Sequence, residues 1–469
     1  MPESPTRPAA VLALVMVSSF FTPFIGAAVN LALPEMAADF GLGTVAMSWI
    51  AMSYLLASAV FLVPLGKLAD ILGRRRIFLW GNVVLAGASA LGALAPSAAV
   101  LIALRVGQGL GSAMVFSTGM AMVTEVYPAH DRGRAIGWSV TAVYAGLALS
   151  PVLGGLLISG LGWRSLFVVP ALVSVGVALG ARRGIRTEWA EAHGERFDRK
   201  GALLYVPAMT VFMYGFAHLP DGLAIGLTLA GLAGLVAFVR VELATGTPVF
   251  EVRLFTTNRL FALANLAALI NYATTFAITF VLSLYLQVVQ GLGPRDAGLI
   301  LVAQPLVMAV VASRSGRWSD RVDPRWLASA GMAVTLAGLL LLTTLKEDTP
   351  TFFLLAALGV LGLGFGLFSS PNTNSIMGSV EKRHLGLASG TVGTMRLTGQ
   401  MLSMGIATLV LQGFVGDVPV RAAPPAEFIR AADTIFLVFA ALSALGVWAS
   451  WSRGSRGSHG GHRGHRGRP

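Results

Sequence analysis

"GKLADILGRRRI", residues 66–77, closes a long apolar run with one acid followed by three successive arginines. Charge gathered into one tight loop, with apolar residues on both sides, marks a chain that leaves a membrane and turns back into it. The bulk composition agrees. Of 469 residues, 55% are hydrophobic and only 12% charged, where an ordinary soluble domain carries about 25% charged residues.

The apolar residues come in unbroken runs, neither striped at helical spacing nor alternating with period two. A run of about 20 such residues crosses the roughly 30 Å hydrocarbon core as a helix. Fourteen segments of this kind can be drawn between residues 11 and 451. The 55 glycines suit helices that approach closely in lipid. There is no cysteine, so disulfides and thiolate metal sites are excluded.

The basic residues fix an expected orientation. About 27 of the 34 lysines and arginines fall in alternate loops and the two ends, among them Lys67, Arg74–Arg76, Arg132, Arg134 and the cluster from Arg182 to Lys200. The opposite loops hold Arg164, Arg295, Lys346, Arg421 and Arg430. Both termini are therefore expected in the cytoplasm of a multi-pass protein of the cell membrane. The net charge of +12 needs no nucleic-acid partner. The first apolar segment is longer than the roughly 7–15 residues of a signal-peptide core, so it reads as a retained span. The tail carries three histidines, but reads as a solvated, disordered basic segment near anionic lipid rather than a metal site.

The opening loop has an echo. Gly66-Lys67-Leu68-Ala69-Asp70 recurs as Gly316-Arg317-Trp318-Ser319-Asp320, followed again by arginines. Two related bundles in one chain are a common build of secondary transporters, with the substrate site between them. Transport is thus the default reading before any family is considered. Gly66 would let a neighbouring helix approach, Asp70 could accept from the N-terminus of another helix, and Arg74–Arg76 would anchor the turn.

At these residues the chain resembles the major facilitator superfamily. Gly66, Asp70, Gly73 and Arg74 match its loop between helices two and three. "LIALRVGQGLGSA", 101–113, resembles the fourth-helix motif through Arg105, Gln108, Gly109 and Gly111. "GWSVTAVYAGLALSPVLGG", 137–155, resembles the fifth-helix motif of antiporters through Gly137, Gly146, Pro151, Gly154 and Gly155, with Ser150 where glycine is usual. "YLQVVQGLGPRDAG" from 285, "GLGFGLFSSPNTNSIMGSV", 362–380, and "FDRKG", 197–201, resemble the branch with fourteen helices, the drug/proton antiporters of EmrB and QacA type.

The resemblance implies an all-α membrane protein of the major facilitator fold: two six-helix bundles with two extra central helices, 14 spans in all. The divisions are a cytoplasmic N-terminus at 1–10, a bundle at 11–181, a cytoplasmic loop at 182–200, the extra pair at 201–240, a second loop at 241–259, a bundle at 260–451 and the tail at 452–469. It implies a monomer and, for Arg105, a part in proton coupling and substrate access. The plainer reading of Arg105 is a pin from helix four to backbone carbonyls. Gln108 lies one turn on. Pro151 kinks its helix, and Gly146, Ser150 and Gly154 form a stripe against which a partner could rock. Asp70 and Asp320, with Arg74, would latch the halves on the cytoplasmic face.

The polar groups within spans are Asn30, Tyr144, Asn265, Asn271, Tyr272, Gln304, Asn372, Asn374, Arg396 and Gln400. Each could be an interhelical hydrogen bond. Together they could be the handles of an apolar substrate cavity. The branch usually carries an acid five residues before the Asn of "NLALP"; here that position is Ile25, and mid-span carboxylates are not expected. A buried cation wants an acidic partner, so a neutral or anionic amphiphile is the expected cargo. Proton antiport needs a titrating group, for which Asp70 or Glu125 could serve. An enzyme is not expected, and neither a cofactor nor a metal, because no nucleotide-binding loop, nucleophile elbow or metal-ligand pair is found. A lipid or lipid-linked precursor flippase, or a receptor without transport, are the alternatives.

Overall fold

A computed structural model describes residues 7–190, 194–195, 197–219, 221–245, 250, 252–319, 321–380, 385–416 and 424–453. The described chain is helical nearly throughout. The first bundle is α1 (Pro8–Phe40), α2 (Thr44–Leu72), α3 (Arg74–Ala93), α4 (Ala98–Val126), α5 (Ala129–Leu161) and α6 (Ser165–Gly184). A hairpin follows, α7 (Arg199–Ala217) and α8 (Gly222–Ala244), and then a short α9 (Arg253–Thr257). The second bundle begins with α10 (Arg259–Leu284), prolonged by a π-turn at Tyr285–Val289. One span is broken at Val302 into α11 (Pro294–Leu301) and α12 (Ala303–Trp318). The rest are α13 (Pro324–Leu342), α14 (Thr351–Gly378), α15 (Leu385–Val415) and α16 (Pro425–Ser452).

Local chemistry sets several of these boundaries. Asp198 caps α7 by accepting from the Gly201 amide at 2.9 Å, and Asn258 caps α10 by accepting from the Phe261 amide at 2.9 Å. Gly41 ends α1 in the left-handed conformation, φ 64°, where a side chain would be strained. Gly73 turns α2 into α3 at φ 113°. The helix ends on the side of that turn are called the knot end here, the opposite ends the far end.

The internal repeat is visible in the packing. The missing side chain of Gly66 lies against Ser117 of α4, and that of Gly316 against Ser370 of α14. A Cβ on Gly81 of α3 would sit 3.0 Å from the Gly111 carbonyl of α4; one on Gly331 of α13 would sit 2.7 Å from the Gly364 carbonyl of α14. Each bundle thus holds the same two close helix crossings, made with glycine at equivalent places.

Thirteen helices among the described residues are long and apolar enough to cross a membrane. The expected fourteenth, α7, is fully helical. Its 19 residues begin with Arg199 and Lys200, which leaves its apolar stretch short. The α7–α8 pair is not a loose edge. Phe216 fills the space beside Gly405 of α15, and Tyr214 and His218 stack near Trp49 of α2. The hairpin therefore covers the seam where α2 of one bundle meets α15 of the other. α8 lies outermost, with most of its side chains turned away from the protein.

Two carboxylates lie deeper in helices than the sequence reading allowed. Asp433 is in the third turn of α16, with its Oδ1 buried and without a hydrogen-bond partner. Glu242 is buried in the last turn of α8, where its Oε2 accepts from the Phe250 amide at 3.0 Å. The apolar runs end later than their composition suggests, because α1, α8 and α16 continue as helix beyond the greasy core.

Candidate functional site

A cleft lies between the bundles near the middle of the chain's long axis. It is narrow in this conformation, with a cavity volume of ≈ 40 Å³, walled by α1, α2, α4 and Leu147 of α5 on one side and α10 and α15 on the other. Tyr54, Phe116 and Phe276 give it aromatic faces; Arg396, Leu397 and Gln400 come from α15. Its hydroxyls are already engaged. Thr22 donates to the Ser18 carbonyl at 2.8 Å, Ser58 to the Gly109 carbonyl at 3.3 Å, and Ser112 pairs with the Tyr54 hydroxyl at 2.9 Å. Tyr54 also donates to the Thr22 carbonyl at 2.7 Å.

Arg105 is wholly buried behind this wall. Its Nε donates to the Ile50 carbonyl at 2.9 Å, and one terminal nitrogen reaches Gln108 Oε1 at 2.9 Å and the Ile25 carbonyl at 3.4 Å. Gln108 in turn donates to Ser89 of α3 at 2.8 Å. The plainer expectation therefore describes the geometry: the guanidinium joins α4 to α1 and α2 through main-chain oxygens. It also lies 4.4 Å above the Tyr54 ring, so this tyrosine separates it from the cleft.

Arg396 is placed differently. Its guanidinium lies 4.6 Å over the Phe116 ring, within electrostatic reach of Tyr54 and Tyr272, and makes no hydrogen bond or ion pair among the described residues. Gln400 follows one turn later in the same wall. Tyr144 and Tyr272 stand nearby. Tyr144 pairs with Ser369 of α14 at 2.7 Å across the halves, and Tyr272 meets Phe365 edge-on.

The remaining amides expected in the cavity do not line it. Asn30 is buried where its carbonyl accepts from Ser283 of α10 at 3.3 Å. Asn271 is fully buried in α10. Gln304 is nearly buried at the break between α11 and α12. Asn372 donates to the Ala264 carbonyl at 3.0 Å and accepts from Arg453 at 2.6 Å, and Asn374 donates to Ser319 at 2.7 Å. The amides of α14 are used up in helix-to-helix bonds, as polar groups in lipid generally are. Asp320 lies outside the described residues.

The opening loop has partners other than those expected. Arg74, 7% exposed, sits between two carboxylates: Asp70 at 2.8 Å and Glu125 of α4 at 3.0 Å. The acid that accepts from a helix N-terminus is not Asp70. It is Glu188, whose Oε1 takes the Arg75 amide at 2.8 Å. Glu188 belongs to the stretch between the bundles, and more of that stretch is tied down beside it. The Arg74 amide donates to the Trp189 carbonyl at 2.8 Å, Arg75 Nε to the Ile185 carbonyl at 2.6 Å, and Lys67 pairs with Glu195 at 2.6 Å. Among the described residues the loop holds the inter-bundle linker. The sequence offered no signal for this, because the pairing spans more than a hundred residues.

The α5 stripe is also divided differently. A Cβ on Gly146 would strike the Phe20 carbonyl, and one on Gly154 would come within 3.2 Å of Ala28, so both face α1 in the same bundle. Ser150, also buried, donates to the Leu147 carbonyl of its own helix. The face that meets the other bundle is one step round. Gly298 of α11 lies against the Pro151 carbonyl, and a Cβ on Gly155 would sit 2.7 Å from the Pro294 carbonyl. Hydrogen bonds between the halves gather toward the far end as well: Thr44 to the Gly416 carbonyl at 2.8 Å and Gln287 to the Leu31 carbonyl at 3.0 Å.

Two pseudo-repeated helical bundles around a central cleft define a membrane transporter of alternating-access build. The sequence matches the Major Facilitator Superfamily over residues 15–263 and 264–469, and the chain belongs to that family. It is an integral membrane protein. It is 33% identical over 411 residues to the cephamycin export protein CmcT of Amycolatopsis lactamdurans, covering 85% of this chain and 84% of that one. It is 31% identical over 393 residues to the multidrug resistance protein Stp of Mycobacterium tuberculosis, covering 82% and 73%. It is 27% identical over 408 residues to the riboflavin transporter RibZ of Clostridioides difficile, covering 86% and 87%. In fold it is similar to a bacterial homolog of the human lysosomal transporter Spinster, solved in an inward-facing and unoccupied conformation. The TM-score is 0.71 at 16% identity, over 96% of this chain and 97% of that one.

Proposed function

We propose that this protein exports small amphiphilic molecules by alternating access of the central cleft, driven by proton antiport. The observation that carries the reading is the cleft itself: an aromatic-walled space at the junction of two repeated bundles, with the bundles drawn together at the far end. Apolar walls with a few polar handles suit amphiphilic cargo. Relatives named for multidrug resistance and for export of an antibiotic support the direction of transport.

In this reading both termini are cytoplasmic, the knot end faces the cytoplasm, and the protein works as a monomer of the fourteen-helix branch. The hairpin supports fourteen spans. Gly201 at the start of α7 packs beside Glu242 at the end of α8, so both lie at one end. If α8 crosses, α7 must cross back. A flippase would need a seam open to lipid. Here one seam is covered by α7, and the other is closed at Pro151 and Gly155 against α11. The triad of Asp70, Arg74 and Glu125 is the proton-sensitive element in this reading, since a proton on either acid would loosen the hold on Arg74 and leave it to the other acid.

The test is accumulation of fluorescent amphiphiles in an efflux-deficient bacterium expressing the chain, with and without a protonophore. Lower accumulation that the protonophore reverses is expected. Lowered accumulation that persists with the proton gradient collapsed would remove the antiport. Unchanged accumulation of every dye would remove the export reading.

A further inference from the structure

Resting on that export reading, we propose that Arg396 is the residue that selects the cargo, and that the cargo is a planar aromatic anion bearing a carboxylate or sulfonate. The argument begins with what the cleft has left to offer. Every hydroxyl in its wall is already hydrogen-bonded within the protein. Arg105 donates to two main-chain carbonyls and to Gln108, and its remaining terminal nitrogen, buried without a partner, is shut off from the cleft with the rest of the guanidinium by Tyr54. No carboxylate lines the cleft, and Arg396 is its one charged residue among the described residues. What remains available is the Arg396 guanidinium with the Gln400 amide one turn beyond it.

The Arg396 guanidinium is half-buried, and it has no counter-charge among the described residues. Its contact with the Phe116 face is the one interaction it makes there. An anion entering the cleft supplies the missing partner. The planar fork of arginine matches the two oxygens of a carboxylate or the oxygens of a sulfonate, whereas a cation meets only repulsion. The rest of the wall fixes the body of the ligand. Tyr54, Phe116 and Phe276 line the same space and suit a flat ring system, and Gln400 can donate to a ring oxygen or to the same acid group. Arg396 therefore touches cargo directly, while Arg105 acts as a positioning residue for the wall in front of it.

Two xanthene dyes of nearly one shape and opposite charge separate the possibilities. Fluorescein carries a carboxylate and is anionic at mildly alkaline pH; rhodamine 6G is an esterified cation. Binding of each would be measured by fluorescence anisotropy to the full chain in lipid nanodiscs, and movement of each in proteoliposomes carrying a proton gradient. Wild type should bind and move fluorescein in preference. Arg396→Gln should weaken fluorescein binding at least about tenfold, as loss of a charge-assisted pair implies. Arg396→Lys should retain part of the binding. Arg396→Glu should reverse the preference toward rhodamine 6G, a gain that a misfolded protein would not show. Equal fluorescein binding by wild type and Arg396→Gln would overturn the inference and leave the export reading standing. So would transport of rhodamine 6G alone by wild type. Failure of wild type to bind or move either dye would overturn both.

Discussion

Gly146 shows how far one missing side chain constrains this molecule. A methyl group there meets the Phe20 main-chain carbonyl, which cannot rotate away as a side chain could. Gly146→Ala should therefore push α5 off α1 and destabilise the first bundle by about 1–3 kcal/mol, the usual cost of overpacking. The thermal unfolding midpoint of the purified protein would fall. Gly137→Ala, in the same helix with open space at its Cβ, should not lower that midpoint and should raise it slightly. Asp70→Asn acts on charge instead. It leaves Arg74 with Glu125 alone, so transport should drop sharply while expression and unfolding temperature hold. Full transport in that variant would show that the triad has no part in the cycle. At this scale the sequence was legible unevenly. Arg105 and Gln108 could be read as partners from their spacing, and Arg396 and Gln400 as neighbours within a span. Tyr54 could not be singled out, because its value comes from touching α1 and α4 together. The amides of α14 could not be told from ligand groups without seeing Ala264, Ser319 and Arg453 opposite them.

Helices and loops were legible in proportion to the length of their apolar runs. The long apolar runs gave the spans, and the glycine-to-aspartate echo gave the repeat, now seen as matched crossings of α3 with α4 and α13 with α14. The linker was another matter. Its bonds to the knot pair residues far apart in the chain, which no local pattern encodes. Those bonds have a measurable consequence. Glu188 holds the first turn of α3, while Arg182, Arg183 and Arg186 beside it are exposed. Glu188→Gln removes the charge at that helix end and its pairing with Arg76, 3.8 Å away. Trypsin should then cut the linker faster in the intact protein in nanodiscs. An unchanged rate would mean that the main-chain bonds at Ile185 and Trp189 suffice. The hairpin carries a similar lesson: charge-poor helices at 201–240 gave no hint that Phe216 and Tyr214 would reach the seam of α2 and α15.

For the whole molecule the question is how the bundles part. Arg105 ties α4 to α1 and α2, so these three should travel as one body, and the joint lies at the α5–α11 and α1–α10 contacts. Gly298→Leu places a side chain against the Pro151 carbonyl and should wedge the far end open. Because the chain has no cysteine, Ser283→Cys supplies a single reporter thiol at the buried α1–α10 seam. Its reaction with a membrane-impermeant maleimide should be slow alone and fast in combination with Gly298→Leu. Equal rates would place the joint elsewhere.

The meeting of Gly155 and Gly298 with main chain across that seam has one more consequence, and it concerns speed. A contact between side chains must be unpicked rotamer by rotamer, and each rotamer must be reset on the return stroke. Backbone lying on backbone has no such steps. The surfaces can separate and meet again without searching for their fit, as a bearing does and a zipper does not. Turnover in such a carrier is then governed by what enters the gap, cargo, lipid or water, more than by the reassembly of the gap itself.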